Sequence, residues 1–293
     1  MTHFIAAYDT ERRRGAEDHC PPCVEACRPI VAMHKRHQMP ATFFIVGRVL
    51  EQSAEEFKRL LDDPLFEIAS HTWSHRMLKD NPFCGRAIRL EQARVEIVRG
   101  RQAVEKHFPD RPCLGLRPGC SFVDGLHNAP ELLQMIVDAG FRYTSSQAWG
   151  PDFTLPAPLT QRYTYADEGH GELIEFPCHG WHDNVLKIMS GPGRWSEPRR
   201  LIAFPPTFPE AIPPSPIREP EEEFRFNCKV IIDRATRDAL EYVTPIWHPW
   251  SLAAFDPEMR MLDMTFRYVR EKGLTATTFA RLYEQVSSMS AVT

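Results

Sequence analysis

No run of apolar residues approaches the roughly 18 that a membrane-spanning helix needs. Charge of one sign is not in excess either: 35 Lys and Arg against 39 Asp and Glu leave a net charge of -4. That balance gives no electrostatic hold on nucleic acid or on an anionic membrane, and neither is expected as a partner. A cationic leader followed by an apolar segment is also missing. His3-Phe4-Ile5-Ala6-Ala7-Tyr8 reads instead as a first strand, and the expected location is cytoplasmic. In that compartment the eight cysteines are expected mostly as thiols rather than as a disulfide framework. There is no internal repeat. What is present, 43% hydrophobic residues over 293 positions, is enough for one full-sized core, so a single domain spanning 1–293 is expected.

Short β-rich runs recur at Phe4 to Tyr8, Ala41 to Val46, Leu65 to Ala69, Cys113 to Leu116, Phe141 to Ser145, Leu173 to Phe176, Val243 to Trp247 and Thr275 to Thr278. Helical patterns lie between many of them, at Pro22 to Gln38, Ile88 to Phe108, Pro130 to Ala139, Asp233 to Tyr242 and Pro257 to Lys272. In the clearest, Ile97, Arg101, Val104 and Phe108 share one face, with Arg101 joining it by its aliphatic stem. Alternating strands and helices predict an α/β fold with a parallel sheet, either a barrel or an open doubly wound sheet. The stretch 191–223 breaks the rhythm, holding nine of the 26 prolines, and reads as a surface insertion without regular helix or central strand.

Four features that follow strands carry chemistry. His71-Thr72-Trp73-Ser74-His75 sets two imidazoles four apart, able to share a metal from one helical face or one side of a tight turn. Tyr8-Asp9-Thr10-Glu11 supplies two carboxylates that can divide labour between cation and base. Arg117-Pro118-Gly119 offers a guanidinium that can fix a carboxylate. Trp247-His248-Pro249-Trp250 places a histidine among aromatics, suited to acid or base work. Each has a bland rival, a solvated acid, an exposed arginine or a packed structural histidine, and none decides the matter alone.

Their order along the chain does more. Asp9-x-Glu11, then Ala41-Thr42-Phe43-Phe44-Ile45-Val46-Gly47, His71 to His75, Arg117-Pro118-Gly119 and late His248-Pro249 resemble the polysaccharide deacetylases of the NodB-homology family. Gly140 to Ser146, Leu173 to Pro177 followed by Trp181 and Asp183, and Lys272-Gly273 leading to Thr278-Phe279 look similar to further family motifs. The likeness runs from Phe4 to Tyr283 except through the proline-rich insertion. It implies a distorted (β/α) barrel of about seven units, TIM-like in plan, that hydrolyses N-acyl groups with a divalent metal. Zinc is expected, with cobalt, nickel and manganese as alternatives. On the resemblance, His71 and His75 are the metal pair, Arg117 orients the catalytic carboxylate, Asp9 is the general base and His248 the general acid.

Where many members carry adjacent aspartates, here Thr10 follows Asp9 and the next acid is Glu11. This is similar to an acid-x-acid branch with predominantly intracellular members. Glu11 is then the third ligand, with Asp9 the other candidate. A metal-free relative of that branch acts on cyclic ureides and amides, so a metal-independent cyclic amide hydrolase and a non-catalytic binding member stand beside the N-deacetylase of an amino-sugar. Trp181, His182 and Trp250 are candidate substrate contacts, Trp181 by stacking on a sugar face. A small-molecule or carbohydrate substrate is expected, and a homo-oligomer through the proline-rich arm stays open.

Two features point elsewhere. His19, Cys20, Cys23 and Cys27 could hold zinc or an iron-sulfur cluster, though structural thiols are the plainer reading. His34 and His37 are expected on the solvated face of an amphipathic helix.

Overall fold

The computed structural model describes residues 1–12, 23–82, 84–151, 157–181, 209–211 and 217–290. Strand β1 (His3–Thr10) is buried at seven successive positions, as a central strand covered on both faces must be. It runs parallel to β2 (Ala41–Ile45), and the sheet continues through β3 (Phe66–Ser70) and β4 (Gly115–Leu116) to β5 (Tyr143–Thr144). At that edge β6 (Tyr163–Tyr165) pairs antiparallel with β7 (His170–Glu175), which lies parallel to β5. Two short strands flank the first residues of β1, namely β9 (Tyr242–Val243) and β11 (Thr275–Thr277). Farther along β1 comes β10 (Pro245–Trp247), itself paired with β8 (Gly180–Trp181).

The sheet is a distorted barrel without a continuous closing ladder. β7 and β8 are two stretches of one chain segment, which meets β5 at its start and β10 at its end. Between them single bonds take over: Phe176 N–H to Thr144 O, 2.8 Å, Cys178 N–H to Gln147 O, 2.7 Å, and His179 N–H to Thr244 O, 2.9 Å. The buried His179 ring fastens the same seam. It accepts the Thr244 N–H at Nδ1 (3.1 Å) and therefore donates through Nε2 to the Thr160 carbonyl (2.8 Å). Burial pushes its pKa down to about 4, so it is neutral at pH 7. Strand directions therefore put the carboxyl ends of β1, β3, β4 and β10 at one mouth.

Helices pack outside the sheet: α1 (Cys23–His37), α2 (Gly47–Gln52), α3 (Ala54–Leu61), α4 (Leu90–His107), α5 (Pro130–Asp138), α6 (Pro220–Glu223), α7 (Val230–Arg237), α8 (Pro249–Phe255), α9 (Arg260–Glu271) and α10 (Phe279–Ser290). On α4 the expected stripe is inside: Ile97 and Val104 are buried, as is Phe108 just past the helix. Arg101 lies over Phe141 and donates to the Ala139 carbonyl.

Several expectations are corrected. The expected helix from Asp233 to Tyr242 starts earlier, because Pro220 sits at a first helical position, where proline loses no bond, and a π-helical stretch (Phe224–Lys229) continues into α7. The end of the proline-rich stretch is thus helical, and residues 191–208 and 212–216 lie outside the described residues. β6, β8, α2 and α3 had no clear periodic signal, since two or three residues cannot show alternation and six to eight barely show a helical face. His34 is not on a solvated face. It is fully buried, with Nδ1–H donating to the Met39 carbonyl and Nε2 accepting the Tyr8 hydroxyl, both at 2.7 Å. His37 is also buried and pairs with Asp263 at 2.7 Å. Cys27, Cys113, Cys178 and Cys228 are free and buried, Cys23 is buried too, and Cys84 and Cys120 form a disulfide. His19 and Cys20 of the cysteine cluster lie outside the described residues. Among the described residues no helix is long and apolar enough to cross a membrane.

Candidate active site at the barrel mouth

Asp9 and Glu11 stand two residues apart at the end of β1. Side chains alternate along a strand, so the acid-x-acid spacing points both carboxylates to one side and sends the fully buried Thr10 to the other. Adjacent acids on an undistorted strand would diverge. The spacing therefore delivers two carboxylates to one place.

His71 follows β3 directly, and its ring is 1% exposed. Nδ1 lies 2.8 Å from the Arg117 carbonyl, which can only accept, so Nδ1 carries the hydrogen and Nε2 presents a lone pair. Nε2 is buried and has no hydrogen-bond partner among the described residues; the carboxylates of Glu11 and Asp9 are 3.8 and 3.9 Å away. Burial lowers the His71 pKa to about 4 despite the two acids, so the ring is neutral at pH 7. The chain then turns tightly, with Thr72 and His75 both left-handed (φ 62° and 60°). That turn brings the His75 ring within 4.7 Å of the His71 ring and its Nε2 within 2.6 Å of Glu11 Oε2. Burial opposes charge on both partners. Attraction outweighs it, raising His75 and holding Glu11 down at about 2. Ligand atoms of Glu11, His71 and His75 all lie within 4.8 Å of one another.

Arg117, just past β4, is 1% exposed and reaches under these groups. One terminal nitrogen donates to Asp9 Oδ1 at 2.5 Å, and the other to Ser145 Oγ at 2.9 Å and Cys178 Sγ at 3.0 Å. Its guanidinium carbon lies 4.1 Å from the centre of the Phe44 ring. Burial works against its charge, but Asp9 beside it raises the pKa above the ordinary arginine value. Because Oδ1 is taken, Asp9 Oδ2 faces the cleft, 3.9 Å from both His71 Nε2 and His248 Nε2. His248, between β10 and α8, comes within 3.4 Å of Glu11 Oε1.

Asp9, Glu11, His71, His75, Arg117 and His248 are thus brought together from four places in the chain. Trp250 joins them, its ring 5.7 Å from that of His248. The backbone of Trp181 lies on β8 beside β10, and His182 falls outside the described residues. Cys178, Ser145, Phe44 and Glu96 are not among the site groups that the sequence singles out. The first three act through Arg117, which is 28 or more positions away, so no local spacing signals them.

No curated protein matches the chain in sequence. The family model for polysaccharide deacetylase matches residues 18–143. A Mycobacterium smegmatis structure assigned as a polysaccharide deacetylase shares the fold (TM-score 0.67, 18% identity, covering 99% of this chain and 92% of that one). So do the Puue allantoinase (TM-score 0.64, 12% identity, 97% and 88%) and a Pseudomonas aeruginosa PAO1 structure assigned as a polysaccharide deacetylase (TM-score 0.62, 12% identity, 97% and 89%). The family model over 18–143 and the shared fold agree: this part of the chain is similar to the polysaccharide deacetylase family, and the whole chain has the fold of structures assigned to it.

Proposed function

We propose that the protein is a metal-dependent hydrolase of a non-peptide C–N bond, an N-deacetylase of an amino-sugar. The observation that carries this reading is the His71 ring. A buried imidazole nitrogen with its lone pair unmet, facing a carboxylate and a second imidazole, is costly unless something cationic takes it. Glu11, His71 and His75 fit a divalent ion: two nitrogen ligands and one oxygen, with further positions open, the donor set of a catalytic zinc. Zinc comes first, and cobalt, nickel or manganese would accept the same donors. When bound, the ion lowers the pKa of water and polarises the amide carbonyl.

The rest of the chemistry belongs to the protein. Asp9 Oδ2 takes the proton of the attacking water. Arg117 holds the other oxygen, which fixes the aim of the carboxylate and leaves one basic atom toward the cleft. Ser145 and Cys178 hold the far side of the guanidinium, so Arg117 cannot swing away. An amine leaves poorly as an anion, and His248 Nε2 delivers a proton to its nitrogen. Trp250 walls the same side.

The test is metal content of tag-free protein together with acetate release from N-acetylated amino-sugars, for wild type and His71→Ala. About one metal per chain, lost with activity in the variant, supports the reading. Metal-free wild type that still hydrolyses sinks it. The second reading is a metal-independent cyclic amide or ureide hydrolase, favoured by the fold shared with the Puue allantoinase and tested on cyclic amides, whose opening releases no acetate. Its activity would survive a chelator.

A further inference from the structure

The turn 71–75 has a bearing of its own. Glu96, on α4, is 4% exposed and spends both carboxylate oxygens on one residue of the turn: Oε2 accepts the Ser74 N–H at 2.7 Å and Oε1 accepts the Ser74 hydroxyl at 2.5 Å. Three positions on, the Arg99 guanidinium stacks 3.9 Å from the centre of the Trp73 ring. One further on, Gly100 lets the helix backbone approach; a Cβ there would meet the Thr72 backbone at 2.7 Å. Glu96, Arg99 and Gly100 are i, i+3 and i+4 on one helical face, and together they seat Thr72, Trp73 and Ser74. The adjacent stripe of the same helix, Ile97 and Val104, is buried in the core.

The turn needs such a seat. Thr72 and His75 are side-chain-bearing residues held left-handed, a conformation that persists only where the surroundings impose it. Within the turn, His75 N–H bonds Thr72 Oγ1 at 3.1 Å, and from α2 Gly47 and Arg48 N–H bond the Thr72 and Trp73 carbonyls. Ser74 is the residue directly before His75, and its clamp comes from Glu96. Burying a carboxylate to hold one serine is expensive, and an apolar side chain would pack α4 against the turn at less cost.

We infer that Glu96 is a positioning residue for the metal-binding turn, holding it in the left-handed conformation that aims His75 at Glu11. This rests on the metal reading of the site, and the two fail differently. The measurement is the zinc affinity of apo protein, by competition with a chromophoric chelator, for wild type, Glu96→Ala, Glu96→Gln and Ser74→Ala, beside the thermal midpoint of each apo form. Glu96→Ala is expected to weaken zinc about tenfold or more, the range seen when groups that orient ligands are removed. Glu96→Gln, which keeps an acceptor for the Ser74 N–H, and Ser74→Ala, which keeps the N–H itself, should fall between. A purely structural role would lower the midpoint and leave the affinity of the folded protein unchanged; that result overturns the inference. Should Glu96→Ala not fold, wild-type affinity in both Glu96→Gln and Ser74→Ala overturns it equally. Wild type that binds no zinc at all refutes the metal reading first.

Discussion

His34 and His71 form a controlled pair. Both rings are buried, both donate Nδ1–H to a backbone carbonyl, and burial holds both near pKa 4. They differ at the second nitrogen. His34 Nε2 is met by the Tyr8 hydroxyl inside an aromatic nest of Phe66 and Phe266. His71 Nε2 meets no hydrogen-bond partner among the described residues. Buried carboxylates divide the same way. Glu175, at the end of β7, accepts from Thr144, Tyr165, the Ser146 hydroxyl and the N–H groups of Ser146 and Gln147. Glu67 is bonded by Tyr143, Thr42 and the Ala280 N–H at the start of α10. In both, each carboxylate oxygen is already engaged by the scaffold. Glu11 instead faces three imidazoles and a cleft. Burial is therefore common to scaffold and site, and for the two histidines so is a lowered pKa. Unspent hydrogen-bonding capacity separates them.

The largest expected effect breaks the pair at its difference. His71→Ala should abolish stoichiometric zinc binding, whereas His34→Leu should leave the metal content of wild type, as mass spectrometry on tag-free protein would read. Next comes the division between the two acids. Asp9→Asn should cut kcat by about 10²- to 10⁴-fold, the usual worth of a general base, and keep the metal. Glu11→Gln should lose the metal; if the two variants exchange these phenotypes, Asp9 is the third ligand and Glu11 the base.

A smaller effect follows from the shared property. His34, His71 and His179 are all held at about 4 in the fold and take up protons near 6.5 when unfolded. As pH falls the unfolded chain binds protons first, so stability is full above 6.5 and drains between 6.5 and about 4. Each group contributes at most about 3 kcal/mol to that loss. Urea midpoints of chelator-treated protein across this window would show it, and a flat profile would refute it. Smallest is His34→Leu at pH 7, which strands the Tyr8 hydroxyl and should cost about 2 kcal/mol. Its disadvantage against wild type should shrink by pH 4.5, because the variant no longer has a buried imidazole to protonate.

The chemistry-bearing motifs were legible because they are local. Asp9 and Glu11 act through strand alternation, and His71 and His75 through a four-residue turn, both fixed by spacing. Arg117 and His248 were legible only by their order in the chain, since the contact of Arg117 with Asp9 spans 108 positions. His34 was misread because the helix pattern shows which face is apolar, not that α1 is packed on more than one side: Tyr8, Phe66 and Phe266 all reach its ring. Cys178, Ser145 and Glu96 gave no signal, because a thiol, a hydroxyl or an acid acquires a role only from what lies beside it.

By itself, then, the sequence determined the alternation of strands and helices, the ends of strands where polar groups gather, and the short-range pairs, because each depends on the period of one element. The tertiary structure alone decided which buried polar atoms find partners and which do not. Satisfaction of a hydrogen bond is a property of two segments meeting. It singles out His71 from His34, and the barrel mouth from the rest of the core.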